Sequence, residues 1–183
     1  MKESLFDTLS ELTARDAVAG FEQEVVRYLR DAFAELADDV TVDRMGNLYA
    51  TLQGDEDGPK IMISAHSDEI GAIVKSIDAE GFLRFDTLGG VIPSMLLGRR
   101  VRVKGRLGVI GVKSGHLQTS EEQSKVLPAD ELYVDVGANN AEEVDEMGIG
   151  VGDPIAYYSP LLRYENDDRV CGKSIDNRIG CAI

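Results

Sequence analysis

One imidazole and two carboxylates crowd the short segment Ala65-His66-Ser67-Asp68-Glu69, and side chains of these types are the ones that hold divalent cations. In an extended chain, positions two apart project to the same side. Asp68 is therefore placed to steer one ring nitrogen of His66 while the other nitrogen faces a metal. A bare His-x-Asp recurs by chance, so the pair alone is a weak signal. A second acidic candidate lies about a hundred residues further on, in RVCGKSIDNRIGCAI (169–183). Val170 and Cys171 read as the end of a strand, Gly172 as a sharp turn, and Ser174 or Asp176 as the start of a helix. Two readings of Asp176 stand side by side at this point, a metal ligand or a helix cap.

The elements that would position these residues follow from apolar spacing. The uninterrupted run Ile61-Met62-Ile63 predicts a strand over 60–65 buried on both faces, with His66 at its carboxyl end, where ligands sit in open α/β sheets. Upstream, Leu5, Leu9 and Leu12 recur at helical spacing. A second helix over 21–36 is marked by Val25, Val26, Leu29, Phe33 and Leu36. Segments 40–44 and 48–52 flank the turn-forming pair Gly46-Asn47 and read as two short strands. After Gly71 the pattern changes to consecutive short strands, over 72–77, 82–85, 100–104, 109–113 and 131–136, with a short helix near 140–147 and another strand near 154–158. A shift of this kind marks a domain boundary. We therefore expect three stretches: 1–71 in a first α/β domain, 72–163 as a β-rich insert, and 164–183 as the first domain resumed.

Composition excludes several classes. With 33 acidic against 19 basic residues, the formal charge of −14 repels nucleic acid and anionic membranes, so neither is expected as a partner. No apolar stretch approaches the roughly 20 residues that cross a bilayer, and the acidic N-terminus lacks the marks of a signal peptide. A cytoplasmic location is the resulting expectation. The two cysteines, Cys171 and Cys181, form no paired framework and are expected as reduced thiols.

The segment HSDEIG, followed about a hundred residues later by GKSIDNRIGCA, resembles the tetrahedral aminopeptidases, a family of dinuclear metallopeptidases that includes the glutamyl or deblocking aminopeptidases. AGFEQEV, DRMGNLYA, GVIGVKSGHLQ and ELYVDVGANNAEEVDEMGIGVGD resemble family segments in family order. The resemblance implies a zinc-peptidase-like α/β/α catalytic domain, incomplete here, carrying an inserted β-rich dimerisation domain. It also implies two divalent metal ions, zinc or cobalt, peptide substrates, and a homo-oligomer built from dimers. Carried over by position, it makes His66 a ligand to one metal, Asp176 the carboxylate bridging both, and Asp68 the catalytic-site group that orients His66. The family pattern continues past the equivalent of Ile183 with a Glu-Glu pair, a further acidic ligand and a late histidine. The chain is thus expected to represent the N-terminal portion and to be a poor catalyst alone. An assembly module with a vestigial catalytic half, or an amidohydrolase of another substrate class, are the competing expectations. His116, in the insert, is expected to be structural or interfacial.

Overall fold

The computed structural model describes residues 3–113, 119–120, 124–165 and 169–183. His116 and the acidic pair Glu121-Glu122 lie outside the described residues. The chain divides into two compact units, one formed by Met1–Glu69 with Pro160–Ile183, the other by Ile70–Ser159.

The first unit is built on helices whose apolar stripes meet. Helix α1 (Glu3–Ala14) buries Leu9 and Leu12, and helix α2 (Gln23–Ala34) buries Val25 and Leu29. Leu12, Ala17, Val25 and Leu29 form one core, and Cys181 and Ala182 of the last helix, α4 (Ile175–Ala182), pack against it. The helical stripe ends earlier than the sequence predicts, since Leu36 lies past α2 and is exposed. Strands β1 (Asp39–Val42) and β2 (Leu48–Thr51) pair antiparallel, with Val42 opposite Leu48. Their turn is knotted by Asp43, whose carboxylate accepts hydrogen bonds from the backbone N–H of Met45 and Asn47 and from the Asn47 side chain, each at 2.9 Å.

The predicted strand over 60–65 does not form, which corrects the sequence reading. Ile61, Met62 and Ile63 are 82%, 87% and 89% exposed, in chain without regular structure. A strand exists only by exchanging hydrogen bonds with a neighbour. Within this unit β1 pairs with β2, and β9 (Leu162–Arg163) with β10 (Val170–Cys171), and among the described residues segment 60–65 joins neither ladder.

The second unit is β-rich, and the whole is a mixed α/β protein. Strands β3 (Gly71–Ile77), β4 (Leu83–Leu88), β5 (Arg100–Val103), β6 (Arg106–Gly111), β7 (Tyr133–Asp135) and β8 (Pro154–Tyr157) close into an antiparallel barrel in the order β3-β4-β7-β6-β5-β8. Alternation explains the interior. In β5 Val101 and Val103 are buried while Arg100 is exposed and Arg102, between the two valines, is half-buried; Val74, Leu83, Phe85, Ile110, Val134 and Ile155 add to the filling from the other strands. Closure gives each of these strands a neighbour on both sides, which limits the open edges that invite aggregation. Helix α3 (Ala141–Glu146) is capped by Asn140, whose side chain accepts from the Glu143 N–H.

Candidate functional site

His66 and Asp68 lie on the irregular segment that leads to Glu69, and Asp176 lies in the first turn of α4. The fold brings them together within the first unit. Nδ1 of His66 is 2.9 Å from Asp68 Oδ1, and Nε2 is 3.2 Å from Asp176 Oδ1, across 110 positions of sequence. Asp176 does not act as a helix cap. Ser174 occupies the cap position, the backbone is non-helical at Asp176, and the Asp176 side chain is 95% exposed with its oxygen turned to His66.

Two protonation states fit this geometry. A protonated ring donates to both carboxylates. A neutral ring has one N–H, which Asp68 claims at Nδ1, so the Nε2 lone pair then faces a carboxylate oxygen. Two electron-pair donors held face to face suit a cation between them. Nitrogen and oxygen ligands at about 2.0–2.2 Å from zinc, with a tetrahedral angle, stand about 3.4 Å apart, close to the observed 3.2 Å. The donor chemistry therefore fits a divalent metal. Their number is short of a full set. Among the described residues no group of three or more His, Cys, Asp or Glu side chains converges as a cation site, whereas a catalytic zinc takes about three protein ligands.

Beneath the exposed pair lies a buried network that sequence reasoning missed. Glu69 Oε1 accepts from the Ala17 N–H at 2.9 Å and from Lys173 Nζ at 2.8 Å, and Glu69 Oε2 accepts from the Ser174 hydroxyl. Lys173 Nζ also reaches Asp16 Oδ1 at 2.6 Å. The Glu69 backbone is fixed as well, in a parallel bridge to Val18. Arg178 is fully buried. Its Nη1 donates to the carbonyls of Leu12 and Arg15 at 2.7 Å, and its Nε donates to the Ser67 carbonyl at 2.9 Å. The first two acceptors lie at the C-terminal end of α1, where helix carbonyls lose their i+4 donors; the Leu12 carbonyl also accepts from the Arg15 N–H at 3.2 Å. Burial lowers the Arg178 pKa, opposed by the nearby charges of Glu69 and Asp16. The sequence signal for this network is two basic residues, Lys173 and Arg178, bracketing Asp176.

Comparison with known proteins gives consistent matches. The profile of the M42 glutamyl aminopeptidases matches residues 46–183. The Escherichia coli protein SgcX is 36% identical over 99% of this chain and 50% of its own length. Among solved structures, a TET aminopeptidase from a marine-sediment archaeon of the Thaumarchaeota superposes with a TM-score of 0.91 at 37% identity, over 98% of this chain and 51% of that one. The Pyrococcus horikoshii TET1 peptidase, described as assembling into a tetrahedron or a large octahedral shell, superposes with a TM-score of 0.85 at 31% identity, over 97% of this chain and 53% of that one. The chain spans about half the length of these relatives. Among the described residues, no helix is long and apolar enough to cross a membrane.

Proposed function

Because the chain belongs to the M42 glutamyl aminopeptidase family, we propose that it supplies part of the active site of a metal-dependent aminopeptidase that releases N-terminal residues from peptides. In this reading His66 is a ligand to one divalent metal, Asp176 bridges two, and Asp68 orients His66. The observation that carries it is the 3.2 Å approach of His66 Nε2 to the Asp176 carboxylate. Two divalent cations sharing Asp176, zinc or cobalt, would supply Lewis acidity toward a peptide carbonyl. The work of the chain's own residues is to hold donors. Asp68 accepts the Nδ1–H of His66, which fixes the tautomer and turns the Nε2 lone pair outward; Asp176, free of any cap role, presents its oxygens to the same point. Further ligands and the general base are assigned to the part of the relatives' length that this chain does not span.

Metal content by mass spectrometry tests the ligand assignment. Zinc or cobalt bound to the wild type is expected to fall in both His66→Ala and Asp176→Ala, and equal content in all three proteins rejects the assignment. Activity is tested by adding the remaining half of a relative's length and assaying release of N-terminal residues with zinc or cobalt present. No release rejects the aminopeptidase reading.

A second reading makes the chain an assembly module, with Ile70–Ser159 as the dimerisation unit of a larger homo-oligomer. It is favoured by the closed barrel with its own buried core and by the small donor set among the described residues. Light scattering on the whole chain checks it, since a strictly monomeric protein at micromolar concentration contradicts it.

A further inference from the structure

A buried guanidinium is an expensive way to fill space, because a well-packed apolar side chain of similar volume is often equally or more stabilising. Arg178 is fully buried. Among the described residues its Nη2 has no hydrogen-bond partner and makes a 3.5 Å ion pair with Glu69 Oε1. Core filling therefore does not account for it, and the direction of its other bonds does. Nε holds the carbonyl of Ser67, the residue between His66 and Asp68, while Nη1 grips the end of α1 through Leu12 and Arg15. Arg178 itself follows Asp176 by two residues on α4. One rigid fork thus ties the segment of His66, the helix of Asp176 and a fixed third element. Glu69 repeats the tie from the other side. It follows Asp68 directly, and its carboxylate takes Lys173 and Ser174, the residues that lead into Asp176.

We propose that Arg178 and Glu69 are positioning residues that hold His66 and Asp176 at the separation a shared cation needs. This proposal rests on the reading of those two residues as metal ligands. Neither Arg178 nor Glu69 touches the metal. They act through backbone: the Ser67 carbonyl sets the path from which His66 and Asp68 both project, and the 173–178 turn sets the direction of Asp176. Lysine cannot replace the arginine. Its single ammonium can serve the Leu12 and Arg15 carbonyls, but it lacks the planar fork that reaches Ser67 at the same time.

The test compares zinc binding and folding in the whole chain. Zinc affinity is measured by isothermal titration, cobalt coordination by visible absorption, and folding by thermal unfolding followed by circular dichroism. His66→Ala serves as the control. Arg178→Lys is expected to unfold within a few degrees of the wild type yet to bind zinc about 10–100-fold more weakly, the usual cost of removing a group that orients metal ligands. Its cobalt spectrum should change shape as well as amplitude. Wild-type zinc affinity in Arg178→Lys, with binding lost in His66→Ala, overturns the positioning role while leaving the metal site intact. Wild-type affinity in His66→Ala overturns the ligand reading itself and the proposal with it. Should Arg178→Lys fail to fold, Ser174→Ala decides, since it removes one hydroxyl that donates to Glu69. Weaker zinc binding in that folded variant supports the proposal and unchanged binding overturns it.

Discussion

Replacing Gly180 with alanine asks whether α4 must lie as close to the His66 segment as it does. A Cβ at this position would stand 2.9 Å from the Ala65 Cβ and 2.8 Å from Asn177 Oδ1, where carbon atoms ordinarily keep about 3.5–4.0 Å. The Asn177 side chain can swing away. Ala65 can move only with its backbone, and that backbone is tied one and two residues later, where the His66 carbonyl accepts from Cys181 Sγ at 3.7 Å and the Ser67 carbonyl accepts from Arg178 at 2.9 Å. Relief of the contact needs a shift of about 0.6–1.1 Å, taken from the same van der Waals range. Overpacking of this sort costs about 1–3 kcal/mol, while alanine in a helix interior is favoured over glycine by about 1 kcal/mol. The expected balance is a loss of about 1 kcal/mol. Urea unfolding followed at 222 nm reads the right unit, because its helices α1 and α2 span 12 residues each, whereas α3 of the barrel unit spans 6. A double-mutant cycle with Ala65→Gly then separates the clash from propensity. Removing the Ala65 methyl should restore at least about 1 kcal/mol in the Gly180→Ala background beyond its effect in the wild type. A Gly180→Ala protein more stable than the wild type, or a coupling energy near zero, refutes the close-approach argument.

Hydrogen bonds from the Asn47 side chain and from the Asn47 and Met45 backbone hold the Asp43 carboxyl below its usual range. A depressed acid stabilises the fold above its unfolded pKa of about 3.9 and loses that contribution as pH falls through its folded value. Amide protection factors in β1 and β2 should therefore fall in the wild type as pH drops below about 3.9, and Asp43→Ala should show low protection already at pH 5; equal protection in the two proteins at pH 5 contradicts this. Burial raises the Cys181 thiol, opposed by the Arg178 charge, while Cys171 is exposed. A disulfide reagent at neutral pH should label Cys171 first. The raised Cys181 value stabilises the fold below the ordinary thiol pKa of about 9 and that share is lost as pH rises through the folded value, so Cys181→Ala should flatten the alkaline fall in melting temperature.

What the sequence made legible was local. The stripes of α1 and α2 and the alternation of β5 depend on residues three, four or two apart, and those spacings survive into the structure. Closure of the barrel was not legible, because it depends on β3 pairing with β8, residues 71–73 against 154–156, and no local pattern encodes that meeting. The run Ile61-Met62-Ile63 misled for a related reason. Apolar side chains state a demand for burial, while a strand also needs hydrogen-bonding edges, which lie elsewhere in sequence. At the site, His66 with Asp68 followed from spacing, whereas Asp176 came from family resemblance; spacing alone left it as readily a cap. The Glu69, Lys173 and Arg178 network escaped notice because charged residues are read as surface until tertiary structure buries them.

That network also accounts for how an exposed pair can be held at all. His66 and Asp176 side chains are 55% and 95% exposed, and a hydrogen bond between such groups contributes too little to fix two segments that have water as an alternative partner. Beneath them, the positive charges of Lys173 and Arg178 are matched in number by the negative charges of Glu69 and Asp16. A buried cluster that is neutral in sum tolerates low dielectric surroundings, but the loss of one member strands its partner, at a cost of about 3–5 kcal/mol. Neutralising Glu69 alone, as Glu69→Gln, should accordingly destabilise the first unit far more than removing the exposed Asp176, even though Asp176 is the residue assigned to chemistry. On the proposed reading, order in the donor pair is set from below, by charges that lie beneath it, and the exposed residues would be free to exchange each other for a cation.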